Sequence, residues 1–235
     1  MKISRPHALR IHFVLDQLLP PALRDSRWFM SLPFRIAYGK RARAFLDFKE
    51  KAPSMTDEEF VQTYRTLGPV QMDRDIHVTP ACRAEVLKLV VGEDVLDVGC
   101  GKGAMAGELS ASHRSTAVDI IIDPEIRLAH PNVRFLEANA EHLPFEDRSF
   151  DTVICTHTLE HVLDLPQAIR ELRRIARRRI IVVVPKQRPY RFTFDLHLHF
   201  FPYVHSLLNA FRPNGTDAVC REIGGDLLYS EDITA

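Results

Sequence analysis

Four short apolar runs organise the middle of this chain. Val95–Val98, Ser115–Val118, Phe150–Cys155 and Ile180–Val184 carry β-branched residues and are too short for ordinary helices, so each predicts a strand. Ile180–Val184 is β-branched throughout, which suits burial on both faces of a parallel sheet. Between the runs lie helical stretches. Ala104–Ser112 is rich in Ala, Met, Glu and Leu. Asp164 starts another helix as N-cap, with Pro166 in the first turn and Gln167 three residues on. Near the end, Asp217–Glu222 and Asp226–Tyr229 flank Gly224–Gly225 and predict a hairpin. The alternation reads as an α/β fold with a doubly wound sheet.

Residues 1–72 precede this pattern and read as a helical extension; residues 73–235 form the α/β domain. The extension is too aromatic for a disordered tail, with Trp28, Phe29, Phe34, Tyr38, Phe45, Phe48, Phe60 and Tyr64. Arg24–Lys51 predicts one or two helices in which Arg35, Lys40, Arg41, Arg43, Lys49 and Lys51 interleave with aromatics. Thr56 and Glu59 make a capping box for a helix over Asp57–Leu67. Thr79 caps the next helix, with Pro80 at its first position and Gly92 beyond its end. The extension suits either a lid over an active site or an interfacial segment resting on an anionic membrane.

The chain has 235 residues, with 31 Lys and Arg against 31 Asp and Glu. This balance implies no general attraction to nucleic acid, and no DNA partner is expected. Cys82, Cys100, Cys155 and Cys220 contain no C-x-x-C pair, as in a reduced cytoplasmic protein without a zinc knuckle. No apolar run is long enough to span a bilayer. A cleavable signal is not expected, because Asp16 and Pro20–Pro21 interrupt the apolar stretch of the basic N-terminus.

The first strand runs into alternating glycines: Gly99, Gly101 and Gly103, with Asp97 on the strand end. Glycines at such a turn let a ligand reach the main chain, and the helix that follows offers unpaired amides. The G-x-G-x-G spacing differs from the G-x-G-x-x-G of dinucleotide sites. Asp97 sits badly beside a pyrophosphate and well beside a cationic amino-acid end. A second acid, Asp119, closes the next strand about 20 positions on, where a carboxylate suits a ribose diol.

These residues resemble the first motif of the class I S-adenosylmethionine-dependent methyltransferases, D/E-x-G-x-G-x-G, at Asp97, Gly99, Gly101 and Gly103. The resemblance covers about Cys82–Pro185 well and the final hairpin loosely, and it does not extend to the first seventy residues. It implies a Rossmann-like seven-stranded sheet, parallel with an antiparallel C-terminal hairpin. It also implies S-adenosyl-L-methionine as cofactor, held by Asp97, Gly99, Cys100, Gly101, Gly103, Asp119, Asn139, Ala140, Glu141 and Thr156. Asn139 stands where many members carry Asp, and its amide can still bond an adenine edge. The helix capped by Thr79 would help floor the cofactor pocket, and Arg188–Phe211 lies where the family builds acceptor pockets.

A hydroxyl acceptor needs a base, and histidine is poised near neutral pH. His157, just after the Phe150–Cys155 strand, is the expected base and His199 a weaker candidate; His161 and His197 are further histidines nearby in sequence. His157, Glu160 and His161 also have the i, i+3, i+4 spacing of a metal site, which His197 or His199 could complete, but the reading adopted assigns no metal. The Cys155–Thr158 sequence CTHT, at the end of the Phe150–Cys155 strand, disfavours amide-nitrogen chemistry, and no Pro-Cys pair supports cytosine C5 chemistry. The expectation is therefore methyl transfer to oxygen of a small-molecule or lipid-linked sugar acceptor. The alternatives are an RNA methyltransferase, a nicotinamide oxidoreductase and a non-catalytic cofactor-binding scaffold. The Arg170–Arg179 region could touch RNA phosphates, but its pattern fits an amphipathic helix with a solvated face that includes Glu171.

Overall fold

The computed structural model describes residues 19–67, 78–192, 194–213 and 217–233. Chain contacts divide it into two compact units. One holds the chain up to Asp73 together with Arg188–Leu198; the other holds Arg74–Gln187 and His199–Ala235.

The second unit is built on a seven-stranded sheet of order β3-β2-β1-β4-β5-β7-β6. The strands are β1 (Asp94–Val98), β2 (Arg114–Asp119), β3 (Arg134–Glu137), β4 (Phe150–Thr156), β5 (Ala176–Pro185), β6 (Ala218–Ile223) and β7 (Asp226–Asp232). β1 to β5 pair in parallel, and β7 runs antiparallel to both β5 and β6. Six strands therefore point one way and β7 alone reverses. The reversal is made at Gly224 and Gly225, whose φ of 62° and 91° L side chains rarely adopt.

Alternation along the central strands feeds two cores. Leu96, Val98, Val153, Cys155, Ile180, Val182 and Val184 face one side, while Val95, Ile154, Ile181 and Val183 face the other. Strands buried on both faces need helices on both. On the first side Ala168, Ile169, Leu172 and Ile175 of α8 (Leu165–Ile175) pack with Leu207 and Phe211 of α9 (Val204–Phe211). On the second, Cys82 and Val86 of α5 (Pro80–Leu89) pack with Met105 and Leu109 of α6 (Ala104–Leu109). The short α7 (Pro124–Ala129) precedes β3. The helix starts are those the caps predict. The Thr79 hydroxyl accepts from the Cys82 amide at 3.3 Å, and the Asp164 carboxylate from the Gln167 amide at 2.9 Å.

The arginine-rich stretch departs from expectation. Helix α8 stops at Ile175 and β5 begins at Ala176 with no loop between, so Arg177–Arg179 are strand residues. Ladder pairing of Arg179 with Thr152 and Asp232 outweighs local helix preference. The basic face is also not simply solvated. Arg173 binds Glu231, Arg177 binds Asp151 and Arg179 binds Asp232. Glu171 is buried, accepts from the Leu143 amide at 2.8 Å and pairs with Arg174. Carboxylates of this unit thus engage charges that phosphates would otherwise attract.

The first unit contains α1 (Pro21–Arg24), α2 (Arg27–Tyr38), α3 (Ala42–Lys51) and α4 (Asp57–Leu67). The capping box at Thr56 and Glu59 forms reciprocally. Phe34, Phe45, Phe48 and Phe60 are buried, and Tyr38 stacks on Phe45. Arg188–Leu198 joins these helices: Phe194 stacks on Phe34, the Tyr64 hydroxyl donates to the Leu196 carbonyl, and Lys49 donates to the Tyr190 carbonyl. Burial lowers the Lys49 ammonium to about 8. Arg188–Leu198 thus groups with the helices, although the sequence division at residue 73 places it in the α/β domain. A parallel bridge between Lys186 and Phe201 marks where the chain leaves the sheet unit and returns to it.

All four cysteines are free. Among the described residues no helix is long and apolar enough to cross a membrane.

Candidate functional site

The carboxyl ends of β1, β2 and β4 lie side by side, because Asp97 is registered with Ala117 and Ile154. After β1 the chain turns sharply. The Gly99 and Cys100 amides both donate to the Val118 carbonyl, at 2.8 and 3.0 Å. Gly99, Gly101 and Gly103 have φ of 73°, 52° and 72°. Their surroundings differ. A Cβ on Gly99 would fall 2.0 Å from the Thr158 hydroxyl, and one on Gly103 would fall 2.8 Å from the Phe135 ring. A Cβ on Gly101 would meet nothing within 4 Å. The outer glycines are therefore packed on protein, and the middle one borders open space.

Asp97 is 1% exposed, and neither carboxylate oxygen has a hydrogen-bond partner. Burial, then the neighbouring Asp119 charge, pushes its carboxyl up to about 7; the Ala106 amide eases this in part without a fully formed hydrogen bond. Asp119 Oδ2 accepts from the Gly101 amide at 2.8 Å. Desolvation raises the Asp119 carboxyl, and backbone amides from Gly101, Ile121 and Ile120 oppose the rise. A buried carboxylate without hydrogen-bond donors beside a half-buried one forms a site for a cation or for hydroxyl donors.

Asn139 Oδ1 accepts from the Glu141 amide, which ties that oxygen into its own turn. Ala140 is buried in the core. Glu141 is 4% exposed and its Oε1 accepts from the Leu163 amide, so this carboxylate braces two loops. Thr156 ends β4. Cys100 is half-buried, and burial raises its thiol well above the usual range.

His157 has φ of 51°, and its amide donates to the Val183 carbonyl at 2.8 Å. Its Nε2 lies 3.2 Å from Asp226 Oδ1 and its Nδ1 3.7 Å from Glu160 Oε1. His157–His161 is a turn rather than a helical face, closed by the His161 amide on the Thr158 carbonyl. His199 is held by its backbone on the Glu160 carbonyl and by its Nε2, which donates to the Val162 carbonyl at 2.9 Å. His197 belongs to the helical unit.

Two residues of this region escaped the sequence reading. Thr158 places its hydroxyl within 3.4 Å of the Val98, Gly99 and Thr156 carbonyls and packs over Gly99. Asp226 opens β7, 69 positions from His157, and nothing in local spacing couples them.

The family described as a methyltransferase domain matches residues 96–184. The matched segment lies in a sheet unit with the class I methyltransferase fold. A demethylmenaquinone methyltransferase of Chlorobaculum tepidum is 31% identical over 135 residues, 54% of this chain and 52% of that protein. An O-methyltransferase of Aspergillus nomiae is 35% identical over 103 residues, 40% of this chain and 46% of that protein. The chain thus spans about half the length of these curated relatives. Among solved structures, an S-adenosylmethionine-dependent methyltransferase of Thermotoga maritima superposes with TM-score 0.54 at 18% identity, covering 75% of this chain and 98% of that one. That likeness concerns the fold. The matched segment of the methyltransferase domain contains Asp97, the three glycines, Asp119 and His157.

Proposed function

We propose that this chain is an S-adenosylmethionine-dependent methyltransferase acting on oxygen of a small-molecule or lipid-linked sugar acceptor. The observation that carries the cofactor reading is the buried, unpartnered Asp97 carboxylate beside a glycine turn whose middle residue borders open space. A cationic amino-acid end answers the Asp97 charge, and a ribose diol donates to Asp119. The backbone around Asn139 and Ala140 is assigned to the adenine edge. Glu141 is left to its bracing role. When bound, the sulfonium cofactor supplies an electrophilic methyl group for in-line transfer.

The protein's part is to orient the acceptor and remove its proton. We assign proton removal to His157, whose Nε2 lies 3.2 Å from Asp226 Oδ1, close enough for the carboxylate to stabilise the imidazolium that proton removal creates. The oxygen preference is supported by this imidazole and by the relative named as an O-methyltransferase, whereas a quinone-biosynthesis relative from Bartonella henselae is named as a C-methyltransferase. RNA is disfavoured as substrate by the engaged arginines of α8 and β5.

Calorimetry with S-adenosylmethionine and S-adenosylhomocysteine tests the reading first. Saturable binding that Asp119→Asn weakens at least tenfold supports it. Asn keeps a carbonyl oxygen for the Gly101 amide, so turn geometry is preserved while the charge is lost. Absence of binding by well-folded wild type would sink the cofactor assignment. Binding without methyl transfer to any phenol, sugar or quinol acceptor would favour the scaffold reading.

A further inference from the structure

Helix α2 is apolar on two opposite sides. Met30 and Phe34 are fully buried within the helical unit, and Phe34 stacks on Phe194. Trp28, Leu32 and Ile36, spaced four apart, are 74%, 65% and 69% exposed. At 3.6 residues per turn these three fall within a sector of about 80°. The exposed large apolar side chains of the described residues are Trp28, Leu32, Ile36, Leu128, Tyr203 and Val219. Half of them therefore lie on one strip of one helix, whereas scattered single exposures would need no explanation.

The charges around the strip have one sign. From Arg27 to Leu46 the chain contains five cations and no acid: Arg27, Arg35, Lys40, Arg41 and Arg43. Arg27 and Arg43 reach Asp47 on α3. Arg35 projects close to the Trp28 direction, and Lys40 and Arg41 follow directly after the helix. All three are exposed, and the described residues offer none of them an ion pair. The strip is the convex face of a helix, which suits a deformable apolar layer better than a shaped ligand. Tryptophan favours the boundary between headgroups and acyl chains, and basic residues favour the phosphates above it.

We propose that this face of α2 docks on an anionic lipid surface. Trp28, Leu32 and Ile36 enter the headgroup–acyl boundary while Arg35, Lys40 and Arg41 contact lipid phosphates. Docking does not depend on the methyl-transfer reading.

Trp28 is the single tryptophan of the chain, so its fluorescence reports on the strip directly. The full chain is titrated with phosphatidylcholine vesicles with and without phosphatidylglycerol, at low and high salt, and co-sedimentation is measured in parallel. The expected result is a blue shift and sedimentation with anionic vesicles that weaken as salt rises. Arg35→Gln/Lys40→Gln/Arg41→Gln is expected to weaken binding roughly 100-fold, from about a fivefold loss per cation. Leu32→Ser/Ile36→Ser is expected to abolish the blue shift. Both variants change exposed side chains, and circular dichroism checks their fold. Unshifted emission with every vesicle, or equal binding to neutral and anionic vesicles, would overturn the proposal. Emission already blue-shifted without vesicles would overturn it too. Concentration dependence of that emission would assign the strip to a second copy, and its absence would assign it to residues 1–18.

Discussion

One carboxylate, Asp226, joins His157 to the N-cap of α5. Its Oδ1 lies 3.2 Å from His157 Nε2, and its Oδ2 accepts the Thr79 amide at 3.2 Å. Thr79 is itself buried, so without Asp226 its amide would lose its acceptor where water has little access. Asp226→Ala is expected to cost about 1–3 kcal/mol in urea unfolding. Asp226→Asn keeps an acceptor oxygen and is expected to cost less than half as much. Equal losses for the two variants would show that the Thr79 hydrogen bond contributes little.

The proposed base makes a separate claim. His157→Gln is expected to lower kcat by roughly 10²–10⁴-fold while S-adenosylhomocysteine affinity in calorimetry stays within a factor of about three. A parallel collapse of binding would turn His157 into a structural residue of the site.

Asp97 gives the ligand-free protein a characteristic pH response. Its folded carboxyl, raised to about 7, lies above the ordinary value of 3.8, so between these values the folded state holds more protons than the unfolded chain. Its contribution to stability is present below about pH 4 and is lost as pH rises through 7. Asp97→Asn has no such carboxyl to ionise. The variant is therefore expected to gain melting temperature relative to wild type between pH 4 and 8. A difference independent of pH would mean that Asp97 ionises normally.

Glu171 acts in the opposite sense. The Arg174 hydrogen bond outweighs burial and holds its carboxyl below the usual range, with help from the Leu143 amide. That stability is complete above about pH 4.5 and is lost as pH falls through the folded value. Glu171→Gln is expected to flatten the acid limb of the stability curve. Glu171→Ala removes the acceptor of the Leu143 amide while Asp147 and the Leu143 and Phe145 carbonyls still hold Arg174, and is expected to cost about 1–3 kcal/mol at neutral pH.

The contact between Gly99 and Thr158 separates strain from clash. Gly99→Ala places a Cβ 2.0 Å from the Thr158 hydroxyl at a φ of 73°, so it suffers both. Thr158→Gly removes every atom of the clash and leaves about 1–2 kcal/mol of left-handed strain. The double variant is expected to have a higher urea midpoint than Gly99→Ala alone. No recovery would mean that backbone conformation accounts for the whole loss.

Local pattern was enough for β1, β2, β4 and the apolar part of β5, the caps at Thr56, Thr79 and Asp164, and the hairpin at Gly224–Gly225, but not for β3. Each depends on contacts within a few residues, or on a periodicity that one segment carries by itself. Asp97, Gly99, Gly101, Gly103 and Asp119 were legible for the same reason, since a strand end and a glycine turn have fixed spacing. Other features needed the tertiary structure. The pairing of Asp226 with His157, the burial of Glu171 and Glu141, and the placement of Thr158 over Gly99 join segments distant in sequence. The start of β5 at Ala176 follows from ladder partners on β4 and β7, which local propensity cannot register. The grouping of Arg188–Leu198 with the helices follows from aromatic contacts across more than a hundred residues. Charge pattern suggested solvated arginines, because a sequence shows which charges exist but not which of them meet.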